Sequence, residues 1–462
     1  MSNENNKPLS SALKIFYGVG DCGFTLMSNV ESYFFAFFLT NLAKFDLGMV
    51  GIIQTVFSLV DACLSWMYGV ILNTIKPGKW GRYRTWLVLI TWLVPILYML
   101  QFSYFGKGKP GIGAALLVIF GGISSHIVWN FPYVANVSMI AVAGKTPEDR
   151  AQLAATRAAW ANLSKILFTF VGAPLAAVFA KIIGETNQYA AVAFVLGVVM
   201  FLLYFCHFKM FEGYETVEAE VPKAKVKKEG SLISTLVSNP PLIFLILSDL
   251  AKWMFNFVCM GFAVYYFTYV AGNAAYLATY MLISNILCIV GSYVSKFFAK
   301  ALSTRTTTIV FFILMAACLL VANFMYTNMI AVVILMSVAQ FGYGVCYAAT
   351  PALYADTIIY AEWKTGKNAT GFISGLQNVP LKVSILLRGV IITACLAAGA
   401  FSAEIDPLQA SDQLKKAICL GFMVIPAVSL IIAAVLLLLG FRLTKDKVEQ
   451  YTREIAARKA AA

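Results

Sequence analysis

Apolar runs of about twenty residues or more follow one another along almost the whole chain, and about twenty is the number an α-helix needs to cross the hydrocarbon core of a bilayer. In that core each backbone N–H and C=O must find a partner within the protein, which leaves helices or closed barrels. The runs are continuously apolar rather than alternating, so a barrel is disfavoured and an all-α polytopic membrane protein is expected. Composition agrees. The 462 residues are 60% hydrophobic and only 12% charged, against roughly a quarter charged in soluble domains.

Twelve spans are expected, over residues 14–41, 47–73, 84–104, 111–142, 151–182, 187–208, 239–271, 274–300, 307–326, 328–358, 368–400 and 416–441. The one sizeable hydrophilic insert, "KMFEGYETVEAEVPKAKVKKEGS", divides them into two halves of six. The expected domains are therefore a six-helix bundle over 1–208, a central loop over 209–238, a second six-helix bundle over 239–441 and a tail over 442–462. Most of the 35 Lys and Arg residues fall in alternate breaks, among them "KPGKWGRYR", "GKTPEDR", the insert and the tail. By the positive-inside rule this places both termini in the cytoplasm, with the protein in the plasma membrane. The net charge of +13 thus marks cytoplasmic loops, not a nucleic-acid-binding face. The N-terminus, "MSNENNKPLSSALK", has no apolar h-region or cleavage site, so no cleavable signal is expected. Nine cysteines lie scattered through the apolar runs and only two histidines are present. Neither a metal site, a disulfide framework nor an intramembrane enzyme is expected from them.

The two halves carry a faint echo: "NFPYVANVSMIAVAGKTPEDRAQLAATR" and "ATPALYADTIIYAEWKTGKNATGFISG" share a proline, then a charged turn, then a helix rich in small residues. Duplicated halves are a common transporter design. Ionisable groups at membrane depth are costly, so each is a functional candidate with a partner to be found. The acids are Asp21, Glu31, Asp61, Asp249 and Asp356; the bases are Arg157, Lys165, Lys252, Lys382 and Arg388, with His126 between. Asp249 and Lys252 are three apart on one helix and are expected to pair. Asp21 is expected to be structural, and Lys165 and Arg388 can snorkel. Asp61, Arg157 and Lys382 are the stronger candidates, with Ser65 one turn from Asp61, Gln377 and Asn378 within about one turn of Lys382, and His126 and Asn130 on one face. Trp129 and Tyr347 are candidate stacking platforms.

These strings, "KIFYGVGDCG", "DACLSW" with "GKWGRYRTW", "PEDRAQLAATRAAWANLSK", "YADTIIYAEWKTGKNATG" and "LQNVPLK", resemble in order and spacing the glycoside-pentoside-hexuronide:cation symporters of the major facilitator superfamily, typified by the melibiose permease. The resemblance runs from about Lys14 to Arg442. It implies the two-bundle major facilitator fold, alternating access, and transport of a small sugar or glycoside coupled to sodium, lithium or protons, without a cofactor. By position it makes Arg157, Gln377 and Lys382 sugar-site residues, puts Tyr347 where the permease has a tryptophan, and makes Asp61 the first of two span-two carboxylates that bind the coupling cation.

The departures from the family pattern carry information. The second span-two carboxylate is Ser65, its neighbouring asparagine is Leu64, and a sodium-coordinating threonine is Ile127. A hard cation wants several oxygens, so protons rather than sodium are expected as coupling ion, with Asp61, Ser65 and Glu31 as the coupling set and His126 as a second proton carrier. Two carboxylates that bind galactoside hydroxyls are replaced by Thr25 and Asn130. Bases that remain where acids are lost should leave a net positive cavity, suited to an anionic substrate such as a hexuronide, a sulfonated sugar or another organic acid. Asp61 is expected to answer to Arg157 or Lys382. Uncoupled facilitation, a neutral glycoside as cargo, and a transporter-fold receptor or scaffold are the alternatives.

Overall fold

The computed structural model describes residues 8–64, 67–104, 110–144, 147–215, 236–366, 373 and 376–461. Ten helices among them are long and apolar enough to cross a membrane by length and composition. Two further helical segments occupy the places of spans one and three. Residues 19–42 carry Asp21 and Glu31, which lower their apolar character, and Trp86–Gln101 is a shorter apolar helix. The fold is all-α, and the chain separates into two compact units, Met1–Pro222 and Lys223–Ala462.

Unit one opens with a short helix α1, Ser11–Phe16, whose first turn is capped by the Ser10 hydroxyl accepting from the Leu13 amide. The chain then breaks at Tyr17 and Gly18 before α2, Val19–Phe37, which ends in a π-helical turn, Phe38–Leu42. There follow α3, Leu47–Leu64, and α4, Met67–Thr74, then α5, Trp86–Leu89, and α6, Val94–Gln101. The third span is thus shorter than residues 84–104, and a 3₁₀ turn at Thr91–Leu93 interrupts it before Pro95 at the head of α6, a position where proline's missing N–H has no cost. The long helices α7, Ile112–Ala143, and α8, Pro147–Ile183, both contain an internal proline, Pro132 and Pro174, and α9 is Gln188–Met210. Helix α2 packs on α8 and α9, α3 on α7, and α6 on both α7 and α9.

The stretch "KPGKWGRYRT" between α4 and α5 makes a tight turn in which Gly78 and Gly81 exchange backbone hydrogen bonds. It is locked by a residue far along the chain. The Glu215 carboxylate, just beyond α9, accepts from the consecutive amides of Arg82, Tyr83 and Arg84 at 2.8–3.1 Å. Gly81 has φ +116°, and a Cβ there would lie 2.4 Å from Glu215 Oε2, so both the turn and the carboxylate need glycine. Arg84 adds a hydrogen bond to the Phe208 carbonyl and a cation–π contact over the Phe208 ring. The first residues of the expected central loop, 211–215, are therefore part of unit one; residues 216–235 lie outside the described residues.

Unit two begins with α10, Pro240–Tyr265, capped by Asn239 and closed by a π-helical turn, Tyr266–Val270. Helices α11, Tyr276–Leu302, and α12, Thr304–Phe324, are joined at Ser303, whose hydroxyl accepts from the Thr306 amide. Helix α13, Met329–Thr365, runs 37 residues across Pro351 and stops at Gly366 in the left-handed region, φ +69°. Helix α14 is Asn378–Ala398; in the earlier part of the expected span, 368–372 and 374–375 lie outside the described residues. Helices α15, Asp412–Cys419, and α16, Ile425–Gly440, form the last span around a π-helical turn. The tail is itself a helix, α17, Lys445–Ala461, docked on α13. Tyr451 stacks on Trp363 at 4.2 Å, Trp363 Nε1 donates to Glu454 at 2.6 Å, and Arg458 donates to the Trp363 carbonyl.

Candidate substrate and coupling site

Three helices of unit one bring two carboxylates to one imidazole. His126, on α7, meets Glu31 of α2 through Nε2 at 2.7 Å and Asp61 of α3 through Nδ1 at 3.6 Å. Asn130, one turn further along α7, donates to the His126 carbonyl at 2.7 Å and reaches Asp61 at 3.5 Å. The ring is fixed by Trp129, 4.3 Å away, and by the edge-on ring of Phe57. All three titratable side chains are only 12–13% exposed. Asp61 and His126 border a narrow hollow whose other walls are Phe57, Val60, Leu64, Tyr68, Ile123 and Ile127.

Asp61 thus lies against His126, where Arg157 was one of its two expected partners. Arg157 instead lies against Asp21, Nε to Oδ2 at 2.8 Å. The reason is packing. Gly18 brings the start of α2 so close to α8 that a Cβ there would sit 2.8 Å from the Arg157 Cα, and Asp21, one turn on, then falls beside the arginine's own side chain. Asn136 of α7 donates to the same Asp21 oxygen at 2.8 Å, and its carbonyl accepts from the Tyr17 hydroxyl. The Arg157 guanidinium also lies 5.1 Å from the centre of the Tyr133 ring. Thr25 shares a face of α2 with Asp21 and is half-buried. The sequence places Glu31 as an extra acid, and Asn136 is the contributor that it leaves unmarked.

Unit two holds its own charged cluster. Asp249 and Lys252 pair at 2.5 Å, as their spacing on α10 predicts. Both reach α13 across Pro351: Lys252 donates to Thr350 at 2.9 Å and the Tyr354 hydroxyl to Asp249 at 3.4 Å. On α14, Lys382 is half-buried in the second turn and Arg388 is buried, while Gln377 is half-buried just before the helix and Asn378 is exposed at its start. Tyr347 is 44% exposed, meets Trp253 edge-on at 5.8 Å and has the Lys252 ammonium 5.6 Å from its ring centre. Trp129 is buried, with its ring against His126 and Tyr98, so it is a packing residue rather than a platform. Ser65 lies outside the described residues.

The family described as MFS/sugar transport protein matches residues 16–445. The chain belongs to that family. It is a multi-pass membrane transporter of the major facilitator superfamily, of the glycoside-pentoside-hexuronide:cation symporter type, and not an enzyme. This transporter is 28% identical over 403 residues to the putative sulfoquinovose importer of Escherichia coli, covering 85% of this chain and 83% of that protein. It is 22% identical to the isoprimeverose transporter of Lactiplantibacillus pentosus, covering 91% and 87%. Among solved structures, a bacterial homologue of the human lysosomal transporter Spinster, inward-facing and unoccupied, matches with a TM-score of 0.66 over 94% of this chain and 98% of that one, at 14% identity. At that identity the likeness concerns the fold. The relatives make this chain a sugar-type secondary transporter acting on a small molecule.

Proposed function

We propose that this transporter is a proton-coupled symporter of an anionic, sugar-like substrate, working by alternating access in the plasma membrane with both termini cytoplasmic. The observation that carries the coupling is His126 shared between Glu31 and Asp61. With the imidazole protonated and both carboxylates ionised, the cluster carries one negative charge in a largely buried place; one further proton neutralises it. Three titratable groups in mutual contact exchange protons as a unit. Glu31, from α2, supplies to the imidazole the second carboxylate that helix α3 lacks at Ser65. The hollow beside Asp61 and His126 is walled mainly by apolar side chains, a poor substitute for the oxygen shell that a sodium ion needs in exchange for its water.

The anionic substrate is supported from two sides. Helix α14 carries Lys382 and Arg388 and no carboxylate, and the importer that shares 28% identity is named for sulfoquinovose, a sulfonated sugar. A neutral glycoside is the second reading, favoured by the isoprimeverose relative. Uptake into proteoliposomes under imposed gradients separates them. An inward proton gradient is expected to drive accumulation of an acidic or sulfonated sugar without sodium, with neutral glycosides failing to compete. Accumulation that requires a sodium gradient overturns the coupling, and competition by neutral glycosides alone overturns the anionic substrate.

A further inference from the structure

Arg157 is approached from two sides of unequal character. Asp21 and Asn136, which share one carboxylate oxygen, are buried, whereas the arginine side chain is 24% exposed. We propose that Asp21 and Asn136 are positioning residues, a clamp that holds the Arg157 guanidinium in place for the anionic group of the substrate. The proposal rests on the reading of Arg157 as a ligand of an anionic substrate.

The geometry supports it step by step. An arginine in a mostly apolar helix bundle has many rotamers and five donors. The Asp21 carboxylate, 2.8 Å from Nε, fixes the guanidinium by charge. Tyr133, whose ring stacks on Phe24 at 4.4 Å and lies 5.1 Å from the guanidinium carbon, restricts the plane in which it can turn. A planar guanidinium held in one place matches a carboxylate or two oxygens of a sulfonate. The anchor is rigid in its own right. Tyr17 donates to the Asn136 carbonyl, while Thr156 and Trp160 of α8 donate to the carbonyls of Lys14 and Ile15, tying α1 to α8 on either side of Arg157. Thr25, one turn along the same face of α2, has no charge with which to pull the guanidinium away.

The clamp also bears on specificity. A buried partner cancels much of the arginine's charge and leaves its side chain 24% exposed. The substrate's anionic group then completes a pre-set geometry rather than ordering a free side chain, and that ordering would weaken binding.

The test is binding of glucuronate and of sulfoquinovose to the purified full-length transporter, with uptake kinetics for whichever binds. Arg157→Gln is expected to raise KM or Kd at least tenfold. Asp21→Asn is expected to do the same with Vmax per folded transporter largely kept, and to add nothing further in an Arg157→Lys background. Asn136→Ala, which removes one hydrogen bond and leaves the ion pair, covers the case in which Asp21→Asn fails to fold and is expected to raise KM three- to tenfold. A purely structural role would lower the yield of folded protein and Vmax with KM unchanged, and that result overturns the clamp. If Arg157→Gln raises KM while Asp21→Asn and Asn136→Ala do not, the clamp fails and the ligand reading stands. If neither probe binds the wild type, or Arg157→Gln binds them normally, the ligand reading fails and the clamp with it.

Discussion

Single residues decide whether the turn between α4 and α5 holds together. At Gly81 a side chain would have to adopt a left-handed φ and would collide with the Glu215 carboxylate. Strain of that kind costs about 1–3 kcal/mol, so Gly81→Ala is expected to lower the melting temperature of the detergent-solubilised protein. Glu215→Gln keeps the shape but loses the charge that three amides share, and is expected to destabilise less than Glu215→Ala; equal melts for all three variants would remove the carboxylate's role. The Asp249–Lys252 pair follows different arithmetic. Removing one partner from a buried pair leaves an uncompensated charge and costs about 3–5 kcal/mol, whereas replacing both by apolar groups is often near neutral. Lys252→Met is therefore expected to melt well below wild type, and the double variant Asp249→Leu, Lys252→Met to recover most of the loss. A double variant no better than the single one would show that the bonds to Thr350 and Tyr354, not the charge balance, hold α10 to α13.

At the scale of elements, docking of α17 on α13 depends on one tryptophan. Glu454 accepts from Trp363 Nε1, and this bond, with Gln450 and Arg458, holds its carboxyl below the ordinary glutamate range. A carboxyl lowered on folding stabilises the docked form above its undocked pKa, and that contribution is lost as pH falls through the lowered value. Hydrogen exchange in residues 445–458, corrected for intrinsic rates, is therefore expected to speed up on acidification through that range, and at neutral pH in Trp363→Ala or Glu454→Gln. Exchange that ignores pH and both variants would mean that the helix is held by something else. This element was not legible in advance. Segment 445–461 is polar enough to read as a tail, and its partner, Trp363, lies some eighty residues upstream. The membrane helices were legible, because an apolar run needs no distant partner to declare itself.

In the molecule as a whole, each unit repeats one device: its first long helix carries a buried acid that bonds a polar side chain of the proline-bearing helix. Asp21 meets Asn136 beyond Pro132, and Asp249 meets Tyr354 beyond Pro351. The faint echo between the two proline segments of the sequence thus corresponds to a shared way of anchoring each unit. The candidate residues Asp61, His126, Glu31 and Arg157 were legible because charge at membrane depth is conspicuous. Their pairings were not, since helical periodicity orders the faces of one helix and says nothing of how far a neighbour is rotated or how closely a glycine lets it approach. Pairing is what turned Asp61 from a counter-ion for Arg157 into one of two carboxylates on His126. Proton coupling through that cluster makes proton movement accompany substrate entry. In weakly buffered proteoliposomes without sodium, addition of the substrate is expected to make the external medium more alkaline with wild type, and to give no pH change with Asp61→Asn although substrate exchange persists. Alkalinisation by Asp61→Asn equal to that of wild type, or substrate entry by wild type with no proton movement, would contradict the account.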